Sequence, residues 1–497
     1  MGPGRVANAV TTPVTTPVTT PAGTGPGLPR GRWTGGLRPV FRRLAVRAAA
    51  LLACATAAPL ATPDRAAAAS ASAVGEARAA KSATATTTGA RNGPVGAAAD
   101  GIGAYETAPD ARPVTGATDG DDGPVLRPGT YTDTVSAGQR KAYRVRLDGT
   151  SNAYLSAVLA PPPGTPVAES DGIRIELRSL GGTRCSDGTD ITFDTPVARP
   201  VADYATRRIG PGRECQKAGE YVYTVESVGG GTADGARDWP VELRFMLEPG
   251  LRTGAGASAD AEDSYPTEAP EPPSGTPKGT DGGTGFNDAP ATGHGVWRDE
   301  LRPGESRFYK VPLDWGQRLF LDAALSGAAP GDGIRMAVFN TARGFVRNAD
   351  AGSGDGTATL GTAPAAHGNR TADPNEIGAM RFSGWYFVRV TRDAADGSAG
   401  AAAPLTLKVA VAGKPRQAPP YAGDPVAAGF GLTAADREAA REGLTSRESD
   451  RRATMRVIAV TGFGLGTALL LGLAGWTVAL RRKLARTPAP PWNPAAS

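Results

Sequence analysis

Histidine and cysteine are nearly missing from this 497-residue chain, which holds two of the first and three of the second. So few soft ligands exclude a His/Cys zinc centre, and three cysteines cannot build a disulfide-dense scaffold. Also missing are a G-x-S-x-G elbow, an H-E-x-x-H helix and a Walker loop, so the common nucleophile, metalloprotease and phosphate-cradling signatures have no carrier here. A basic stripe is absent as well. The net charge of +5 resides at the ends. Arg5, Arg30, Arg32, Arg38, Arg42, Arg43, Arg47 and Arg65 face a single acid, Asp64, within residues 1–69, while Arg481, Arg482, Lys483 and Arg486 close the chain without one. The body between them is mildly acidic, which excludes a nucleic-acid binder of the usual basic kind.

What is abundant is glycine and proline, 67 and 43 residues. That is about twice average usage: too turn-rich for a helical bundle, yet short of wholesale disorder. Near the start, Arg42, Arg43 and Arg47 precede the apolar run Ala48–Ala61 and the small-residue stretch Ala66–Ala73. This order predicts a secretory signal peptide cleaved within Ala69–Ala73. A lipoprotein box ending at Cys54 and a twin-arginine signal at Arg42-Arg43 are the competing readings. The long stretch before Val40 suggests that translation starts later than Met1. At the other end, Val457–Leu480 is uncharged and apolar, long enough to cross a bilayer, and Arg481-Arg482-Lys483 follows at once. The expected topology is single-pass type I, with the ectodomain outside and residues 481–497 cytoplasmic. Gly462 and Gly466 form a GxxxG pair that would let two such helices approach.

Comparing the chain with itself finds a duplication. At a shift of 166, Tyr131–Leu159 aligns without gaps on Trp297–Leu325, matching Asp133/Asp299, Tyr143/Tyr309, Asp148/Asp314 and Tyr154/Phe320. Asp171–Arg174 recurs as Asp332–Arg335, Gly219–Val225 as Gly384–Val390, and Pro240–Leu247 as Pro404–Val411. Segments such as Tyr143–Leu147 and Tyr386–Val390 alternate with the period of two that half-buried strands require. The expected fold is mainly β: two tandem antiparallel, jelly-roll-like sandwiches at 124–250 and 292–413, plus one C-terminal transmembrane helix at 457–480. Segment 70–123 reads as disordered, 251–291 as a Pro/Gly/acidic linker, and 414–456 as a juxtamembrane segment with a charged helix.

Within the first copy, Cys185 and Cys215 stand 30 residues apart with no counterparts in the second. In an exported chain this predicts a disulfide that pins an irregular insertion, Ser186–Glu214, to the sandwich. Asp119, Asp121 and Asp122 read first as turn residues whose side chains bond the nearby backbone; the competing reading is a Ca²⁺ site, for which they offer hard oxygen ligands, and no other cofactor is expected. His294 and His367 read as surface residues, and Trp315 and Trp385 as candidate contact sites, with Trp385 equally placed to be core.

The repeated order G-x-x-x-x-Y-x-V-x-L … D-G-I-R … G-x-Y-x-V-x-V … P-x-x-L resembles the bacterial pre-peptidase C-terminal domain over about 126–248 and 292–412. That family consists of β-sandwich modules appended to secreted proteases and other exported proteins, although no peptidase precedes either copy here. Arg302–Leu319 also resembles part of exported actinobacterial proteins that accompany von Willebrand A-type domains. The resulting expectation is a non-enzymatic surface binding or scaffolding protein whose partner is an exported or membrane protein or a cell-wall polymer, with no nucleic acid. The alternative is an accessory subunit of a membrane complex that docks through its Gly-rich helix.

Overall fold

Strands whose alternate side chains are apolar need a second sheet to cover them, and both copies meet that need in the same way. The computed structural model describes residues 101–186, 188–229, 238–252, 268–327, 333–352, 356–372, 374–393 and 400–484. The signal-peptide reading, Cys54 and the cytoplasmic tail beyond Leu484 lie outside these residues. The first copy contains β1 (Arg112–Pro113), β2 (Val125–Leu126), β3 (Gly129–Val135), β4 (Arg140–Leu147), β5 (Asn152–Leu159), β6 (Gly172–Ser179), β7 (Thr189–Thr192), β8 (Val201–Arg207), β9 (Gly219–Val228) and β10 (Trp239–Glu248). The second contains β11 (Lys278–Gly279), β12 (Gly295–Leu301), β13 (Ser306–Leu313), β14 (Arg318–Leu325), β15 (Ile334–Phe339), β16 (Phe345–Ala351), β17 (Thr357–Gly361), β18 (Gly384–Arg392) and β19 (Ala403–Ala412).

The first copy stacks the sheet β1-β3-β10-β5-β8 on the sheet β2-β4-β9-β6-β7. The second stacks β11-β12-β19-β14-β17 on β13-β18-β15-β16. Apart from β2, whose place in the second copy is taken by a single parallel bridge between Ala291 and Lys310, this is one jelly roll made twice. Each has its own core: Leu155, Ile175, Tyr223 and Leu243 in the first, Leu321, Met336, Val388 and Leu407 in the second. Tyr131 lies opposite Leu243 as Trp297 lies opposite Leu407. Asp133 accepts from the Tyr143 hydroxyl at 2.7 Å, as Asp299 does from Tyr309 at 2.6 Å.

Three expectations change. Residues 101–123, read as disordered, are ordered: they run along the first jelly roll, with β1 parallel to β3 and the Gly116 N–H donating to Asp133 at 2.7 Å. The described part of the 251–291 linker does the same for the second, with β11 parallel to β12 and Gly282 N–H on Asp299 at 2.7 Å. Arg112 over the Tyr131 ring at 4.3 Å and Lys278 over Trp297 at 5.5 Å repeat one cation–π contact. These arms belong to the duplicated unit, and the shift of 166 extends into them. Likewise Ser186–Glu214, read as irregular, contains β7 and β8, the equivalents of β16 and β17.

Beyond β19, helix α1 (Asn375–Gly378) having been a single turn between β17 and β18, the chain forms α2 (Ala434–Glu442) and α3 (Ser446–Leu484). Thr433 and Asp436 cap α2 reciprocally, and Gly443 ends it at φ 77°. Ala439 and Ala440 of α2 bury against Ala291, Arg437 makes a two-pronged pair with Asp314 at 2.6 and 3.0 Å, and the Gly293 N–H donates to Ala440 O at 2.7 Å. The charged juxtamembrane helix is therefore docked on the second jelly roll. In α3, Thr461–Lys483 is long and apolar enough to cross a membrane, 23 residues with mean hydropathy 1.7 and no share buried.

Candidate functional site between the two copies

A sheet's outer face is expected to be polar, yet β5 is buried at all eight positions and β15 and β18 nearly so. The cause is the other copy. Val158 and Ala202 on the outside of the first jelly roll meet Phe308, Ala337, Phe339 and Phe387 of the second, with Phe286 of the second arm wedged among them. Alongside, Tyr154 packs edge-on against Phe382 at 4.9 Å, with Phe430 and Met246 completing the cluster.

Two carboxylates on the outer face of β10 sit inside this interface without contact with water. Glu242 is paired with Arg343, both side chains fully buried, and also accepts from Ala108 N–H at 2.7 Å and from Asn287 at 3.0 and 3.1 Å. Burial alone would raise its pKa, but Arg343 and these hydrogen bonds together hold it below the usual carboxylate range. Glu248 is met by Arg370, by Tyr421 OH at 2.7 Å and by Tyr154 OH at 3.0 Å. Arg343 stands in the β15–β16 turn at φ 65°, the left-handed region that a non-glycine residue occupies only when its surroundings demand it.

Next to this packed zone the two copies part to leave a cleft of about 440 Å³. Its floor is made by Val201 and Ala202 of β8 and by Met336, Ala337 and Phe339 of β15; Asp194, Asn348 and Asp350 stand at its exposed rim. Three arginines line it. Arg335 is held by Asp393 at 3.0 and 3.1 Å and lies 3.6 Å from Asp350. Arg199, 5% exposed, donates to Phe193 O, to Thr195 Oγ1 at 2.7 Å and to Val197 O at 3.4 Å, all uncharged. Arg389, 7% exposed, donates to Pro200 O across the interface and lies 5.5 Å from the Phe339 ring. Burial lowers the pKa of both, aided by Arg335 at Arg199 and by Arg199 at Arg389. Asp203 of β8 accepts from the N–H of Tyr204 at 2.8 Å and of Phe345 at 3.1 Å, and desolvation pushes it up to about 7.

The residues singled out in the sequence lie elsewhere. Cys185 and Cys215 are joined as expected, with Cα atoms 5.3 Å apart. Asp119, Asp121 and Asp122 are exposed on a turn in which Asp119 accepts from Asp121 N–H at 3.2 Å. At the equivalent turn of the second copy, Asp288 accepts from the N–H groups of Thr284 and Gly285 at 2.7 and 2.8 Å. Among the described residues no three His, Cys, Asp or Glu side chains are placed to hold a metal ion, and the bonds these two aspartate turns make are to nearby backbone N–H groups. Gly462 and Gly466 lie on α3 with open space beside each, no other part of the described residues packing against them. Trp315 is buried rather than a surface contact, and His367 packs 6.3 Å from it and 6.1 Å from Tyr421 instead of standing in solvent. Trp385 is half-buried under the Lys310 ammonium at 4.9 Å, and His294 is exposed as expected.

The cleft arginines went unnoticed because Arg389 falls where the first copy has Thr224 and so looks like a routine outward-facing residue. A signal existed: in Trp385-Tyr386-Phe387-Val388 both strand faces are apolar, which a one-sided sheet does not need.

No family model and no curated protein matches the chain. Among solved structures it is similar to a tandem pair of CBM22 domains from Paenibacillus barcinonensis Xyn10C, at 13% identity over 63% of this chain and 100% of that one, with a TM-score of 0.17. Another is the CUB1-EGF-CUB2 segment of human MASP-1/3, at 9% identity over 56% and 99%, with a TM-score of 0.12. Similarities this low carry no functional argument.

Proposed function

We propose that this chain is a membrane-anchored, non-catalytic binding protein whose two jelly rolls form one recognition head outside the membrane. The observation that supports this most is the cleft, whose walls come from both copies, so that the welded pair offers a concavity neither copy has alone. Its volume falls in the range of small-molecule pockets, ~300–1,000 Å³. The docked α2 leads from the head into the apolar helix, and Arg481, Arg482 and Lys483 at its far end favour a cytoplasmic C-terminus. The partner would be an exported protein, a membrane protein or a cell-wall polymer carrying the ligand group.

The test is in two parts. An Asn348→Cys variant on intact cells should react with a membrane-impermeant maleimide, whereas Ser497→Cys should not. Purified full-length protein should then bind isolated cell-surface material, and Asn348→Trp, which fills the cleft from its exposed rim, should abolish that binding. Labelling of Ser497→Cys, or binding indifferent to the plugged cleft, would end this reading. A second reading, an accessory subunit that docks through α3, is favoured by the open faces of Gly462 and Gly466. Replacing residues 461–480 by leucines would abolish function under that reading and spare it under the first.

A further inference from the structure

A buried guanidinium ordinarily faces a carboxylate, because taking a charge out of water without a counter-charge costs several kcal/mol. Glu242 and Glu248 show that this interface supplies such partners where it uses them structurally. Around the cleft the pattern reverses. Asp190 is taken by Arg174 at 2.6 and 2.7 Å, Asp393 and Asp350 by Arg335, and Asp203 by two backbone N–H groups. Among the described residues no carboxylate lies within ion-pair distance of Arg199 or Arg389, Asp194 and Asp350 acting on them only from further off, and the Nε of each is buried without an acceptor. Two cations more than nine-tenths buried therefore line one cavity, bonded only to uncharged oxygens and without a counter-charge at ion-pair distance among the described residues.

Deepening the proposed function, on which this step rests, we infer that the cleft takes a small hydroxylated oxyanion, a sugar acid or a sugar phosphate, whose anionic group lies against Arg389 and Arg199. Arginine presents several N–H donors in a plane, which suits a carboxylate or phosphate better than any neutral group. The rim supplies the hydroxyl half of the recognition. Exposed Asp194, Asp350 and Asn348 would repel or ignore a bare anion but accept hydrogen bonds from the hydroxyls of a sugar. Exposed carboxylates around a cationic floor thus select for a ligand with both features. A cavity of about 440 Å³ suits one or two sugar rings rather than a polymer segment of many.

Full-length protein in neutral-lipid nanodiscs would be titrated calorimetrically with glucuronate, glucose 6-phosphate, glucose and inorganic phosphate. At least one of the two hydroxylated anions should bind about tenfold or more tighter than glucose, the expectation for gaining a charge-assisted pair. Preference for glucuronate assigns the carboxylate, and preference for glucose 6-phosphate the phosphate. Inorganic phosphate should bind more weakly than the better sugar. Arg389→Gln should lose the preference over glucose while keeping a cooperative melt, Asn348→Trp should lose all binding, and Arg298→Gln, an exposed arginine of β12, should change nothing. Equal binding of glucose and both anions, blocked by Asn348→Trp, would overturn the oxyanion and leave the binding cleft standing. Failure of wild type to bind either anion, or Arg389→Gln binding them unchanged, would overturn it too.

Discussion

The residues that decide this molecule's behaviour are charges in places where charges are costly. Removing Arg343 would strand Glu242 in the interface, and breaking such a buried pair costs about 3–5 kcal/mol. Arg343→Ala should therefore lower stability in urea by that order, whereas Arg343→Met with Glu242→Met should recover part of the loss, since it removes the stranded charge but leaves Ala108 N–H and Asn287 without their acceptor. A double variant no better than the single would show that the pair does not act as a unit. Asp203 yields a pH effect. Its folded pKa, about 7, lies above the unfolded value of ~3.9, so the folded state holds the proton more tightly. Its stabilising share is complete below about pH 4 and declines as pH rises to about 7. Asp203→Asn keeps an oxygen for Tyr204 and Phe345 N–H but cannot ionise, so it should gain on wild type between pH 5 and 8. His367 works the other way: burial lowers its pKa to about 3, so its contribution is full above ~6.5 and lost as pH falls. Comparing Asp203→Asn with wild type at each pH isolates one from the other; a difference that does not change with pH would refute the assignment. None of this was legible in the sequence. Glu242 and Arg389 occupy outward positions of well-patterned strands, and only the opposing copy makes each of those positions interior.

At the scale of elements the sequence was far more readable, because strand periodicity and the duplication are both local signals. β3–β5 and β12–β14 lie where the shift of 166 aligns them, and the cystine joins the two residues expected. Its role, however, changes with the discovery that β7 and β8 are strands. The bond ties the turn after β6 to the loop after β8, fastening the sheet that holds β6 to the sheet that holds β8 at one end of the first jelly roll. The Cys185→Ser/Cys215→Ser variant should lose roughly 3 kcal/mol, the chain-entropy expectation for a loop of this length. The loss should appear in hydrogen exchange as faster opening of β7 and β8, while β16 and β17, which have no such bond, exchange as before. Uniform acceleration across both copies would mean that the bond stabilises the pair and not its own module. The arms were misread because the first lies in an Ala/Thr/Gly-rich segment and the second in a Pro/Gly/acidic one, compositions that argue for disorder. Yet Gly116/Gly282, Asp122/Asp288 and Pro124/Pro290 keep the shift of 166, and that repeat was the better guide.

For the molecule as a whole, two copies on a Pro/Gly linker suggest independent beads, whereas the structure makes one body of them through Phe286, Phe339 and two buried carboxylates. The difference is testable at a position that disturbs neither core. Gly344, beside Arg343 in the β15–β16 turn, lies so close to Tyr204 of the first copy that an added Cβ would come 1.3 Å from its ring. A methyl group there cannot be absorbed by a flexible side-chain end; it must push the copies apart or expel Tyr204. Wild-type protein should melt in one calorimetric transition whose van't Hoff and calorimetric enthalpies agree, since the burial shared across the interface couples the modules. Gly344→Ala should split this into two transitions and broaden the distance distribution between spin labels at Arg146→Cys and Arg298→Cys, exposed positions on the two copies. It should also weaken ligand binding in the cleft, because walls contributed by both copies no longer hold their spacing. If the variant still melts once and keeps its distances, the interface does not weld the pair. If it melts twice yet binds as tightly as wild type, the cleft does not need both copies, and recognition belongs to a single jelly roll.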